Sequence, residues 1–365
     1  MASYKQIKKG NWKVTISLGT DPVTHKRMRV IKQGFKTKKE AEQFAINYEN
    51  EVNKGLISPT KQDILLKDFI LDWFNNHKVL SIGVTTKNHY ISRIKTYIIP
   101  LLGSYKVAEI DTLTIQKFYN HLLTKNPPLK PSSAKKVIET LNNCLSYAKK
   151  IKLISYIPSD IETIKIEKPK IEYWNQKELK FFLNEIKDTY LYFPTLIIAM
   201  TGLRVAELCG LKWSDIDYKK GYLNVNRQVI RDESTHNLII QDTLKTNKSK
   251  RAISLPKILI NEFRTRQSSY DNFIILSRNE EVCNPRNISM EFKRIVSKYK
   301  ELPQITIHGL RHTHATILIL NGENIKVVSD RLGHKDVTTT LNTYTHIMDK
   351  MKDNTAYLLD TIFNK

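Results

Sequence analysis

Between Trp12 and Leu18 every second residue is apolar, whereas from Ala41 onward apolar residues recur at intervals of three and four. A hydrophobic period that changes from 2 to about 3.6 requires a sheet followed by helices, which rules out an all-β or single-layer fold. Trp12, Val14, Ile16 and Leu18 alternate with Lys13, Thr15 and Ser17, the signature of a half-buried strand. Asp21-Pro22 supplies a turn, and a second strand is expected from Lys26 to Ile31, with Gly34 ending it. Thr37 followed by Glu40 reads as a capping box. The helix behind it carries Ala41, Phe44, Ala45, Tyr48 and Val52 on one face, enough to cover a small sheet.

Residues 62–150 read as helical. Leu65, Leu66, Phe69, Ile70, Trp73 and Phe74 form a first stripe. Further helices are expected from Thr85 to Pro100, from Thr112 to Leu123 and from Ser132 to Lys149, the last preceded by the breakers Pro127, Pro128 and Pro131. A mixed-charge stretch with Pro158 and Pro169, residues 151–172, is expected as a linker. Asn175 and Glu178 then open residues 173–365, where helices alternate with a strand-rich patch from Tyr222 to Leu255, an α+β pattern. The chain is therefore expected to be multidomain, as its 365 residues also suggest.

Charge selects the partner. The chain has 59 Lys+Arg against 36 Asp+Glu, a net +23. Such an excess calls for a polyanion, nucleic acid or an anionic membrane. The basic residues are spread along the chain rather than stacked on one amphipathic helix, which favours nucleic acid. Up to Glu40 there are eleven Lys and Arg against only Asp21 and Glu40, so the first module reads as a DNA-contacting sheet, with Lys13, Thr15, Arg27 and Arg29 as candidate groove contacts. The N-terminus lacks an apolar stretch, so no secretory signal is expected, and no apolar run approaches the ~20 residues of a membrane helix. Cys144, Cys209 and Cys283 are too scattered for a disulfide framework or a zinc site, and free thiols suit a reducing cytoplasm.

The last segment holds four polar clusters set among apolar helix stripes. In TGLRVAELCGL, Arg204 and Glu207 are three apart and could share a helical face, which by itself would be a plain salt bridge. In HGLRHTHATILI, His308 and Arg311 stand at a helix start, two donors suited to a phosphate. Either could be structural, although His312 and His314 close by make a purely packed histidine a poorer reading. In VSDRLGHKDVTTTLNTYTH, Gly333 ends a helix, His334 follows, Asp336 can cap the next helix, and that helix delivers Tyr344. The stretch QDTLKTNKSKRAISLP places Lys245, Lys248, Lys250 and Arg251 around a hairpin turn, where contact with phosphates is the plain reading and proton donation the sharper one.

In order and spacing, these four strings resemble the tyrosine recombinases of the phage integrase family, and the resemblance covers nearly the whole chain. It implies a three-stranded, AP2-like arm-binding domain with its helix (1–55), a helical, SAM-like core-binding domain (62–150) and a mainly-α, mixed α+β catalytic domain with a C-terminal tail (173–365). By the same resemblance, Arg204 and Arg311 would clamp the scissile phosphate, Tyr344 would attack phosphorus to leave a 3′-phosphotyrosyl link, and Lys245 would protonate the departing 5′-oxygen. His308 would accept or share the tyrosine proton, His334 would hydrogen-bond the phosphate, and Glu207 would support Arg204. A tyrosine with a pKa near ~10 needs a base and nearby cations to attack. Exchanging one phosphodiester for another conserves bond energy, so no ATP, metal or other cofactor is expected.

The resemblance further implies a tetramer on double-stranded DNA carrying core-type and arm-type attachment sites, in a bacterial cytoplasm. An excisionase and a host DNA-bending protein join the candidate partners. The activity implied is integration of a prophage or other mobile element, by transposition or viral genome integration. Two other readings stay open on sequence alone: a type IB topoisomerase, which uses similar chemistry, and a non-catalytic DNA-binding protein. The combination of Tyr344 with both arginines argues against the second.

Overall fold

The computed structural model describes residues 2–20, 27–54, 64–158, 160–166, 171–232, 235–242, 250–267, 272–277 and 279–349. They fall into two compact units, residues 1–168 and 169–365. Among the described residues no helix is long and apolar enough to cross a membrane.

The first unit opens with an antiparallel sheet in the order β1 (Ala2–Lys8), β2 (Asn11–Thr20), β3 (Arg27–Phe35), followed by α1 (Lys38–Asn53). The alternation in β2 sorts its faces: Val14 and Ile16 are fully buried with Ala41, Ala45 and Tyr48 of α1. Lys13 and Thr15 lie on the other face, where Lys13 pairs with Lys5 and Gln33, and Thr15 with Ser3 and Ile31. Arg29, paired with Ser17, shares that open face, and Arg27 is exposed at the start of β3. Lys26 and the Asp21-Pro22 turn lie outside the described residues.

Two local expectations need correction. Gly34 does not end the second strand. It takes φ 103° within an irregularity of the β2–β3 pairing, and β3 runs on to Phe35, whose ring meets Phe44 at 5.3 Å. The Thr37–Glu40 pair forms half a capping box: the Thr37 hydroxyl accepts the Glu40 N–H at 3.2 Å, but the Glu40 carboxylate takes the Lys36 N–H at 2.8 Å. β1, for which alternation gave no strand, completes the three-stranded sheet that the resemblance implies.

The helical part comprises α2 (Leu66–Asn76), α3 (Val84–Arg93), α4 (Ile99–Leu102), α5 (Thr112–Thr124) and α6 (Pro131–Lys150) around one apolar core. The expected stop at Pro100 does not occur. A π-helical stretch, Ile94–Ile98, joins α3 to α4, and the Ile99 N–H reaches back to the Ile94 carbonyl. Widening the helix there relieves the clash a proline makes with the preceding turn. Beyond α6 the chain lies along α5: Gln116 exchanges two hydrogen bonds with Glu162, and the Ile164 N–H donates to Tyr119 Oη at 3.2 Å.

The second unit is mainly helical with two small sheets. Asn175 and Glu178 form a full capping box on α7 (Gln176–Glu185). It is followed by α8 (Tyr192–Thr201) and α9 (Val205–Cys209). Strands β4 (Ile216–Asp217), β5 (Tyr222–Val225) and β8 (Arg251–Ser254) form one sheet, and β6 (Gln228–Arg231) pairs with β7 (Leu238–Gln241). Helices α10 (Lys257–Arg266), α11 (Pro285–Val296), α12 (Ile307–Leu320), α13 (Ile325–Leu332) and α14 (Val337–Asp349) complete it. The main core spans α7 to the start of α12, and a smaller cluster of Ala315, Ile319, Val328, Leu332 and Tyr344 ties α12, α13 and α14 together.

Candidate active site

The site is assembled where α8, β8, α12, α13 and α14 converge. Gly202 ends α8 in the left-handed region at φ 70°, and the chain re-enters a helix at once. Arg204 is the N-cap of α9 rather than a member of its face, and Glu207 sits at N3. Glu207 accepts the Arg204 N–H at 2.9 Å and Arg204 Nη1 at 2.7 Å. From β8, Arg251 Nη2 donates to the same carboxylate at 2.9 Å, and its Nε donates to the Arg331 carbonyl at 2.7 Å. Glu207 is 1% exposed, while the Arg204 side chain is 38% exposed. Burial alone would raise the Glu207 carboxyl, but the charge and hydrogen bonds of Arg251, then those of Arg204, hold it at about 2. It is thus a permanent anion that orients two guanidiniums.

Arg311, one turn into α12, is 3% exposed. Its Nη1 donates to the Gly202 carbonyl at 2.7 Å and its Nη2 to the Leu332 carbonyl at 2.6 Å. These bonds pin the α8–α9 turn and the end of α13 to α12. Burial, then the neighbouring Arg204, draws Arg311 down to about 9, so it remains cationic at neutral pH. The ring of His308 stands edge-on to His312 at 5.0 Å. Its pKa is lowered by burial of its ring, then by Arg311 and Arg204.

Gly333 ends α13 at φ 69° and turns the chain so that His334 hydrogen-bonds Thr340 Oγ1 through Nδ1 at 2.7 Å. Burial, then Arg311, Arg204 and Arg251, hold His334 at about 4. Asp336 caps the start of α14, accepting the Thr338 N–H at 2.9 Å. Two turns on, α14 buries Tyr344 at 1% exposure, with Oη 2.8 Å from Nδ1 of His312. Burial raises the phenol pKa well above its ordinary value, and Arg311 opposes that rise. Among these residues it is His312, and not His308, that is hydrogen-bonded to the tyrosine hydroxyl.

Arg204, Glu207, His308, Arg311, His334 and Tyr344 thus come together. Lys250 is exposed just before β8, while Lys245 and Lys248 lie outside the described residues. Lys13, Thr15, Arg27 and Arg29 belong to the N-terminal sheet. Among the described residues no group of three or more His, Cys, Asp or Glu is placed to hold a metal ion.

Sequence reasoning gave no role to His312, His314 or Arg331, and it set Arg251 at a hairpin turn in contact with phosphates, whereas the structure places it in β8, paired with Glu207. His314 holds the Ala199 carbonyl through Nδ1 at 2.8 Å and accepts Arg331 Nε at 3.1 Å. Arg331 Nη2 donates in turn to the Met200 carbonyl at 2.9 Å. A signal for Arg251 existed: it shares a face of β8 with the buried Ile253 and pairs with the buried Val225. For His312 the signal was its place four residues after His308, on the same helical face.

Residues 2–52 match the Arm DNA-binding domain, 65–123 the Phage integrase, N-terminal SAM-like domain, and 173–351 the Phage integrase family. A XerC-like tyrosine recombinase of Caldanaerobacter subterraneus is 30% identical across 99% of this chain and 98% of its own length. This chain is a tyrosine recombinase of the phage integrase family. The recombinase is also 25% identical to the ICEBs1 integrase of Bacillus subtilis, over 99% of this chain and 100% of that one. Its fold is that of the Tn1549 transposon integrase, solved with transposon right-end DNA: the TM-score is 0.70 over 82% of this chain and 100% of that one, at 21% identity. The recombinase is therefore an enzyme of DNA strand cleavage and rejoining.

Proposed function

We propose that this recombinase is a site-specific integrase that cuts and rejoins double-stranded DNA at paired attachment sites of a mobile element. The observation that carries this reading is the charge arrangement around Tyr344. Arg204, Arg251 and Arg311 lie within electrostatic reach of one another around a single carboxylate, Glu207, so the site holds excess positive charge beside a buried phenol. A phosphodiester entering there relieves the mutual repulsion of the arginines, and the pentavalent transition state, with more charge on its oxygens, relieves it further.

In this reading Arg204 and Arg311 bind the non-bridging oxygens and His334 hydrogen-bonds the phosphate. Tyr344 attacks phosphorus, giving a 3′-phosphotyrosyl link and a 5′-oxygen that Lys245 protonates. His308 accepts or shares the tyrosine proton. Glu207 holds Arg204 in place. Residues 1–55 engage arm-type sites through the open sheet face bearing Lys13, Thr15, Arg27 and Arg29. Residues 62–150 engage core-type sites, 151–172 link them to the catalytic residues 173–365, and Lys248 and Lys250 contact the DNA backbone. Four protomers act together on DNA in the cytoplasm of a bacterial cell, with an excisionase and a host DNA-bending protein as directional partners. That two-site design gains affinity through effective concentration rather than through new contacts.

The test is covalent trapping on total DNA of the source cell with the full chain, followed by sequencing of protein-linked fragments. Fragments confined to a few discrete sites, one of them at the end of a mobile element, are expected. Linkage scattered over the genome would instead indicate a topoisomerase.

A further inference from the structure

We infer that Ile31 is a specificity-determining residue of the N-terminal module, reading the C5-methyl group of a thymine in the major groove of an arm-type site. The inference rests on, and deepens, the proposal that residues 1–55 engage such sites.

The faces of β3 alternate. Val30 packs with the core of the module, and Lys32 sets its Nζ 4.8 Å from the centroid of the Phe44 ring, so both belong to the side that α1 covers. Arg29, Ile31 and Gln33 therefore share the open face, where all three are exposed and Ile31 is 58% exposed. The register sets its surroundings. One cross-strand row runs Ser3–Thr15–Ile31 and the next Lys5–Lys13–Gln33, while Arg29 pairs with Ser17 on the other side. Ile31 is thus an apolar side chain within a face of basic and hydroxyl groups.

A single exposed isoleucine on a solvated sheet needs no explanation. This one is given a task by its neighbours. Lys5, Lys13 and Arg29 attract a phosphate backbone. Strands β2 and β3, about 4.8 Å apart, form the two-stranded width that a major groove about 12 Å across admits. Against phosphate an isoleucine gains nothing. Against base edges it buries itself on the apolar group displayed in that groove, the thymine methyl. Side chains on one face of a strand repeat every ~6.8 Å, about two base-pair steps of ~3.4 Å. Arg29 and Gln33 accordingly reach bases on either side of the one under Ile31, with a guanidinium suited to guanine and a carboxamide suited to adenine.

The test uses the full chain. Arm-type duplexes are located as the segments protected from nuclease outside the cleavage site recovered by trapping. Each thymine of one such duplex is replaced in turn by deoxyuridine, which lacks only the C5-methyl group. Affinity is measured for wild type, Ile31→Ala, Ile31→Val and Lys13→Ala. At one thymine, uracil should weaken wild-type binding about fourfold, and Ile31→Ala should weaken binding of the unmodified duplex roughly tenfold. Uracil at that thymine should then cost Ile31→Ala nothing further. Ile31→Val, which keeps the branched strand-forming side chain, should bind within about twofold of wild type. A methyl contact releases no counterion, so the slope of log affinity against log salt should be the same in Ile31→Ala as in wild type, whereas Lys13→Ala lowers it by about 0.9. Equal uracil effects in wild type and Ile31→Ala at every thymine, wild-type affinity in Ile31→Ala, or a lowered salt slope in that variant would overturn the assignment. Protection confined to core-type DNA would overturn the arm-site reading itself, a distinct failure.

Discussion

Arg251 and Glu207 form a buried ion pair at 2.9 Å, and Arg251 also donates to the Arg331 carbonyl at 2.7 Å. One strand residue thereby connects the carboxylate that orients Arg204 to the end of the helix that precedes His334. Such a pair need not stabilise the fold more than an apolar substitute would, but removing one partner strands the other in a low-dielectric site.

Arg251→Ala should accordingly lower the free energy of unfolding by about 3–5 kcal/mol, measured by urea denaturation. Glu207 keeps its contact with Arg204, so the lower end of that range is expected. An unfolding midpoint unchanged from wild type would show that the pair is solvated rather than buried.

Glu207 also sets an acid limit. Its folded pKa of about 2 lies below its ordinary 4.5. A carboxylate depressed in this way binds fewer protons folded than unfolded, so its contribution is complete above its ordinary pKa and fades as pH falls through the window between 4.5 and about 2. Urea unfolding followed across that window should show wild type losing stability more steeply than Glu207→Gln. Parallel curves would place the effect on other carboxylates.

Gly202 is constrained twice. Its φ of 70° disfavours any side chain, and a Cβ there would lie 2.7 Å from His314 Cδ2 and 2.8 Å from Leu332 Cδ2. Gly10, at φ 76°, has nothing within 4 Å of such a Cβ. Gly10→Ala should therefore cost about 1–2 kcal/mol of backbone strain alone. Gly202→Ala should cost clearly more, and should weaken the Arg311 bond to the Gly202 carbonyl. Thermal unfolding of the two variants decides it, and equal losses would contradict the packing argument.

What the sequence disclosed follows from how local each feature is. The stripe Ala41, Ala45, Tyr48 and the alternation Val14, Ile16 are written in neighbouring residues, so the first module was legible in outline. Gly333, His334 and Asp336 likewise announce a helix end and a new cap. Partners that meet across the fold were not legible. Arg251 and Glu207 are 44 residues apart, and His314 and Ala199 are 115 apart. No period relates them; tertiary packing does, bringing β8 to α9 for the first pair and α12 to α8 for the second. His308 and His312 look equivalent in sequence, and it takes the position of α14 to separate them. The π-turn at Ile94–Ile98, which buries Ile94 and Ile98 in the helical core and lets the helix pass Pro100 to Leu102, has no local signature either.

The central claim is that Tyr344 attacks DNA from a pocket formed by Arg311 and His312. It is tested most directly by digesting the trapped complex with protease and nuclease and identifying the modified peptide by mass spectrometry. The account expects a nucleotide joined through its 3′-phosphate to the peptide carrying Tyr344, and no adduct from Tyr344→Phe. A phosphate found on any other residue, or an adduct joined through a 5′ end, would contradict it.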